Sequence, residues 1–283
     1  MQNVTEHALT LADGRSLHYY DAAPSSAAEL AVVWFHGTPN LGEPPQPLFP
    51  AADQRGIRFV SYDRPGYATS TEHPGRDVAS AAQDVTAIVD ALGIDRFAVL
   101  GHSGGGPHAL ACAALTPDRV IAAVDVSGIA PYGGEGLDYF AGINPSGEAE
   151  LRAAVRGREE LTACLESAEF DPEMFTPADL AALEGSWAWL AGVAGKAMED
   201  GLTGFIDDDL AAVNPWGFDP ATIDVPVLIC HGEDDRVVPI AHSRWLATHI
   251  RTAQLLSYPA DGHITVLDSA AVPALDWIRS RAN

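Results

Sequence analysis

Apolar residues fall along this chain in two alternating rhythms. Residues 30–35 (LAVVWF), 57–62 (IRFVSY), 97–100 (FAVL) and 120–126 (VIAAVDV) are short apolar runs without helical period. Runs of this length that do not alternate predict strands covered on both faces, as in a parallel sheet. Between them, residues 48–54 predict a short helix, and Val78, Ala81, Ala82, Val85, Ile88, Val89 and Leu92 recur at the spacing of one helix face. Ahead of these elements, residues 7–11 and 15–21 alternate apolar and polar around Ala12-Asp13-Gly14, a hairpin pattern. After residue 127 the strand rhythm stops. From 128 to 223 the chain offers helical stretches at 148–155, 159–165, 177–183 and 187–198 and no buried strand. It resumes at 227–230, followed by a helix at 241–249, a strand-like segment at 254–258 and an amphipathic helix ending near 279. The expected organisation is therefore an α/β core from residues 1–127 and 224–283, interrupted by a helical segment, 128–223, that caps the ligand edge of the sheet.

One junction carries candidate chemistry. The run at 97–100 leads into Gly101-His102-Ser103-Gly104-Gly105, a G-x-S-x-G pattern, and then into the helix formers Ala109, Leu110, Cys112, Ala113 and Leu115. A serine on a tight strand-to-helix turn exposes its oxygen above the sheet, and small neighbours let the backbone approach it. The start of the following helix adds N–H groups that favour negative charge nearby. A serine hydroxyl needs a base within hydrogen-bond reach and a group to orient that base. Both should follow the carboxyl ends of strands. Of ten histidines, His263 fits best, in the loop Ala260-Asp261-Gly262-His263 after the last strand-like run. His102 adjoins Ser103 and reads as support. His36, at the end of the 30–35 run, either braces its loop or touches substrate. For the acid, the run 227–230 ends in Glu233-Asp234-Asp235, three carboxylates among which spacing does not choose, while Asp125 competes from the end of the preceding strand.

Composition narrows the partner. The chain has 283 residues, 47% of them hydrophobic, and a formal charge of −23, which disfavours nucleic acid or an anionic membrane. Cys112, Cys164 and Cys230 are widely spaced without C-x-x-C, reading as free thiols of a reducing, cytoplasmic compartment. The expected partner is a small molecule, with a homodimer left open. Neither metal nor organic cofactor is called for. Trp187, Trp189, Phe205 and Trp216 give the helical segment either an apolar surface for substrate or a small core of its own.

Ser103, Asp235 and His263, in that chain order and on this strand pattern, resemble the α/β-hydrolase superfamily over essentially the whole chain. The superfamily's G-x-x-D-x-x-x-P pattern falls on Gly232, Asp235 and Pro239, which selects Asp235; its H-G-x-P loop falls on His36-Gly37-Thr38-Pro39, and its D-R-x-G turn on Asp63, Arg64 and Gly66. The resemblance implies an α/β fold with a mostly parallel eight-stranded sheet, helices on both faces and an inserted all-helical cap. It implies a serine hydrolase, with Ser103 as nucleophile, His263 as base, Asp235 as orienting acid and the backbone N–H groups of Thr38 and Gly104 as an oxyanion hole. A carboxylesterase is expected. Carbon–carbon hydrolysis, lactone opening, peptide hydrolysis, cofactor-free haloperoxidase chemistry and ligand binding without hydrolysis are the alternatives. Epoxide hydrolases and haloalkane dehalogenases of this fold use an aspartate nucleophile, which Ser103 does not match. His36, His102, Trp187 and Trp216 are the candidates for substrate contact.

Overall fold

A computed structural model describes residues 2–24, 28–199 and 201–282. In chain order the elements are β1 (Asn3–Thr10), β2 (Ser16–Ala23), β3 (Leu30–Phe35), α1 (Phe49–Gln54), β4 (Ile57–Tyr62), α2 (Ser80–Ala91), β5 (Phe97–His102), α3 (Gly105–Leu115) and β6 (Val120–Val126). There follow α4 (Pro145–Arg156), α5 (Arg158–Ser167), α6 (Pro177–Glu184), α7 (Ala188–Ala197), α8 (Thr203–Val213), β7 (Val227–Gly232), α9 (Ala241–His249), β8 (Ala253–Tyr258) and α10 (Thr265–Arg279). The strands form one eight-stranded sheet in the order β1-β2-β4-β3-β5-β6-β7-β8. The hairpin β1–β2 and the pair β2–β4 are antiparallel, and all other pairs are parallel.

The continuous apolar runs have the physical origin expected of them. Every residue of β3, β5, β6 and β7 is buried, yet their side chains still alternate between two cores. Val33, Phe35 and Val99 join the cluster under α2 and α3, whereas Val32, Trp34, Ala98 and Leu100 join the one under α1 and α10. With both faces covered, no position of these strands needs a polar side chain. Among the described residues, the chain between β6 and β7 holds five α-helices and no strand. Sequence periodicity anticipates four of them and misses α8. Among the described residues no helix is long and apolar enough to cross a membrane.

The strand order fixes where a site can form. After β3 the chain adds β4 on one side, then returns to add β5 on the other. Such a switch opens a crevice at the carboxyl ends of the strands. The register Phe35↔Gly101 brings the loop after β3 alongside the turn after β5.

Candidate active site

Ser103 is placed by backbone geometry that its glycine neighbours make attainable. Its φ is +54°, in the left-handed region, which costs a non-glycine residue about 1–2 kcal/mol. The turn is held by Ser103 N–H donating to the Val126 carbonyl at 2.9 Å and by Gly106 N–H donating to the Ser103 carbonyl at 2.9 Å. A Cβ at position 105 would lie 2.1 Å from the Phe35 carbonyl oxygen, and one at 101 would lie 2.3 Å from that of Gly105. Only glycine lets α3 start this close to β3 and β5.

The loop after β8 brings His263 to this turn. Its Nε2 lies 2.9 Å from Ser103 Oγ and its Nδ1 lies 2.7 Å from Asp235 Oδ2. A carboxylate can only accept, so Nδ1 carries the proton and Nε2 of the neutral ring is free to accept from the serine hydroxyl. Of the three consecutive acids, Glu233 and Asp234 are exposed and Asp235 is buried. Oδ1 of Asp235 accepts from the backbone N–H groups of Val237 and Val238, both at 2.9 Å. Burial alone would raise its pKa, but His263, together with hydrogen bonding from His231, holds it well below the ordinary carboxylate range. His231 is itself buried: its Nε2–H donates to the Val238 carbonyl at 2.7 Å and lies 3.3 Å from Asp235 Oδ2, and its Nδ1 accepts from Ser243 Oγ at 2.6 Å.

Asp125, the competing acid, sits elsewhere. Its carboxyl is fully buried against the backbone of Gly106 and Gly128, and it has no side-chain hydrogen-bond partner. Burial pushes its pKa up to about 7. The Nδ1 of His263 is already taken by Asp235.

The loop carrying Thr38 packs against Gly104. A Cβ at Gly104 would be 3.4 Å from the Thr38 backbone nitrogen. No acceptor within the described protein engages the N–H of Thr38 or of Gly104.

The four residues expected to contact substrate are all engaged in holding structure. His36 is buried, with Nδ1–H donating to the Gly37 carbonyl at 2.8 Å and Nε2 accepting the Arg64 N–H at 3.3 Å, so the ring braces its loop and offers a ligand nothing. His102 donates from Nε2 to the His263 carbonyl at 3.1 Å and packs ring to ring against His263. Burial, aided by the nearby His263, lowers its pKa to about 3 and keeps it neutral. Trp187 and Trp216 are 2% and 3% exposed. The Trp187 indole N–H donates to Asp268 Oδ1 at 2.9 Å, and that of Trp216 to the Ala212 carbonyl at 3.2 Å. Trp187 packs into the cluster under α10 and Trp216 into the cluster on the other face of the sheet.

Sequence reasoning misses two aspartates of the helical segment. Asp179, on α6, accepts the backbone N–H groups of His263 (3.2 Å), Ile264 (2.9 Å) and Thr265 (2.8 Å), clamping the histidine loop. Asp208, on α8, accepts from Thr38 Oγ1 (2.8 Å), Arg64 Nε (2.9 Å), Tyr67 Oη (2.8 Å) and Arg76 Nη2 (2.5 Å). Local spacing places Asp179 only as the capping-box partner of Thr176, whose N–H it accepts at 3.1 Å; the histidine-loop partners of Asp179 and the Arg64 partner of Asp208 lie more than eighty residues away.

The family profile for the alpha/beta hydrolase fold matches residues 31–270. The chain belongs to the α/β-hydrolase fold family. It is 30% identical over 267 residues, 90% of this chain and 92% of the relative, to a non-heme haloperoxidase of Rhodococcus erythropolis. It is 29% identical over 272 residues, 90% of this chain and 92% of the relative, to a bifunctional esterase/perhydrolase of Acinetobacter calcoaceticus. The enol-lactonase of Burkholderia xenovorans superposes with a TM-score of 0.73 at 22% identity, covering 97% of this chain and all (100%) of that one, a likeness of fold.

Proposed function

We propose that this α/β-hydrolase is a serine esterase that cleaves a small, mainly apolar carboxylic ester through an acyl-enzyme. His263 Nε2 takes the Ser103 proton as Oγ attacks the ester carbonyl carbon, and Asp235 holds the ring in the required tautomer and balances the imidazolium. The tetrahedral oxyanion is received by the N–H groups of Thr38 and Gly104, each such donor typically contributing about 100- to 1000-fold in rate. Collapse expels the alcohol, which leaves with the proton held on His263. Water, deprotonated by the same imidazole, then attacks the acyl-enzyme and releases the acid and Ser103. The helical segment at 128–223 serves as the cap over this reaction, and the three free thiols suit a reducing cytoplasm.

The observation that carries the reading is the pair of contacts on one imidazole, 2.9 Å to Ser103 Oγ and 2.7 Å to Asp235 Oδ2. A fluorophosphonate probe should label the wild-type protein at Ser103, and Ser103→Ala should abolish both labelling and turnover of an activated ester, by roughly a millionfold. Retention of a tenth of the activity by the alanine variant sinks the assignment.

A second reading is favoured by the relatives named haloperoxidase and esterase/perhydrolase. In it, hydrogen peroxide replaces water in the deacylation step, and the acyl-enzyme gives a peracid and free Ser103. Peracid formation from an ester, or from acetate, with hydrogen peroxide, absent in Ser103→Ala, separates this outcome from simple hydrolysis.

A further inference from the structure

We propose that Asp208, on α8 of the helical segment, is a positioning residue that sets the aim of the Thr38 N–H in the oxyanion site; this rests on the esterase reading above. Asp208 lies 4% exposed at the junction of three elements: the Thr38 loop after β3, the Asp63-Arg64 turn after β4, and α8 itself. Its Oδ2 accepts directly from the Thr38 hydroxyl at 2.8 Å. It also orients the guanidinium of Arg64, whose Nε donates to Asp208 Oδ1 at 2.9 Å. That guanidinium in turn donates to three consecutive residues of the same loop: the His36 carbonyl at 2.6 Å, the Gly37 carbonyl at 2.9 Å and the Thr38 hydroxyl at 3.1 Å.

A peptide N–H points opposite to the carbonyl of the same peptide unit. The Gly37 carbonyl and the Thr38 N–H belong to one such unit. When Arg64 fixes the Gly37 carbonyl, it therefore fixes the direction of the Thr38 N–H, which must face the reacting oxygen. Arg64 donates to this loop in a fixed fork, and Asp208 holds the fork in place. Arg76 and the Tyr67 hydroxyl complete the cluster by filling the remaining acceptor positions of Asp208, at 2.5 and 2.8 Å. The carboxylate touches neither Ser103 nor His263; it acts through the loop. The consequence is that α8, outside the core sheet, is tied to the geometry of oxyanion stabilisation.

Two variants test this. Asp208→Asn removes the charge that holds Arg64, and Thr38→Val removes the hydroxyl contact while leaving the backbone N–H in place. Both are assayed on a p-nitrophenyl ester, with kcat expressed per active site titrated by a fluorophosphonate so that unfolded protein does not count. The expected result is a fall in kcat of about 10- to 100-fold for Asp208→Asn with KM within threefold, the size expected when a group near the chemistry is misplaced by about an ångström. Affinity for a trifluoromethyl ketone, which forms an oxyanion adduct with the serine, should fall by a similar factor. Thr38→Val should lose activity in the same direction. The double variant should lose no more than the larger single loss, because both contacts govern one N–H. Losses that multiply fully, or a kcat per titrated site within twofold of wild type in both variants, would overturn the proposal. If Asp208→Asn does not fold, Thr38→Val alone decides by the same criterion. Absence of fluorophosphonate labelling at Ser103 in the wild type would instead overturn the esterase reading, and the proposal with it.

Discussion

Asp235→Asn turns one acceptor oxygen into an NH2 donor and removes the negative charge with almost no change in shape, which makes its effect calculable from the surroundings. In the wild type, Oδ1 accepts two backbone N–H groups, those of Val237 and Val238 at 2.9 Å, and Oδ2 accepts Nδ1–H of His263 at 2.7 Å. An asparagine has one oxygen and one NH2 to place in these positions. With its NH2 toward Val237 and Val238, donors face donors in a buried site. Two backbone N–H groups then lose their acceptor, at about 1–3 kcal/mol each. The amide therefore turns its oxygen to the backbone and its NH2 to His263. An NH2 beside Nδ1 requires that nitrogen to accept, which moves the ring proton to Nε2. A ring protonated there cannot take the proton of Ser103. The expected loss in kcat is about four decades, or some 5–6 kcal/mol of transition-state stabilisation, with little change in KM. The assay is steady-state hydrolysis of an activated ester, with circular dichroism and thermal melting to establish folding. A loss below tenfold in folded Asp235→Asn, with a large loss in Asp125→Asn, would refute the assignment of the acid.

Asp125 gives a stability prediction of definite sign. Burial raises its folded-state pKa to about 7, so between about pH 4 and 7 the folded protein binds more protons than the unfolded chain and stability falls as pH rises. Three units correspond to about 4 kcal/mol, so denaturant titration should show Asp125→Asn gaining on wild type by up to about that much between pH 4 and 8, and an identical pH slope in the two proteins would contradict it. Asp179→Ala should lower stability by about 3 kcal/mol or more, because the N–H groups of His263, Ile264 and Thr265 lose their shared acceptor. It should also reduce kcat per titrated site as the histidine loop loosens; full activity at unchanged stability would contradict the clamp.

How much of this was legible in the chain follows from the range of each interaction. β3 and β6 could be read from apolar runs because burial on both faces is a local requirement on every residue of the strand. Ser103 could be read because its turn constrains Gly101 and Gly105 in its immediate neighbourhood. The helix α8 could not, since its sequence TGFIDDDLAAV sets three aspartates in the middle of the apolar pattern, and aspartate is a poor interior helix residue. All three are buried all the same: Asp207 pairs with Arg158 and Asp208 with Arg64 and Arg76, whereas burial and the neighbouring carboxyl of Glu150 push the pKa of Asp209 well up, so that it keeps its proton. Trp187 and Trp216 were equally unreadable, since an indole that contacts substrate and one that completes a core look alike until its packing neighbours are known.

The aspartate triplet nevertheless held a signal of another kind. A buried carboxylate must be compensated, and this chain carries 39 acidic residues against only 16 lysines and arginines. Two of those cations, Arg64 at 1% and Arg76 at 6% exposure, are withdrawn from the surface to face the single carboxylate of Asp208. Replacing such a group of buried charges with apolar side chains of similar volume is often neutral or stabilising, so stability alone does not account for it. Its contacts do: Arg64 reaches from Asp208 to the carbonyls of His36 and Gly37, which belong to the two peptide units flanking Gly37 beside Ser103. An apolar replacement could fill the same space, but it could not hold those carbonyls.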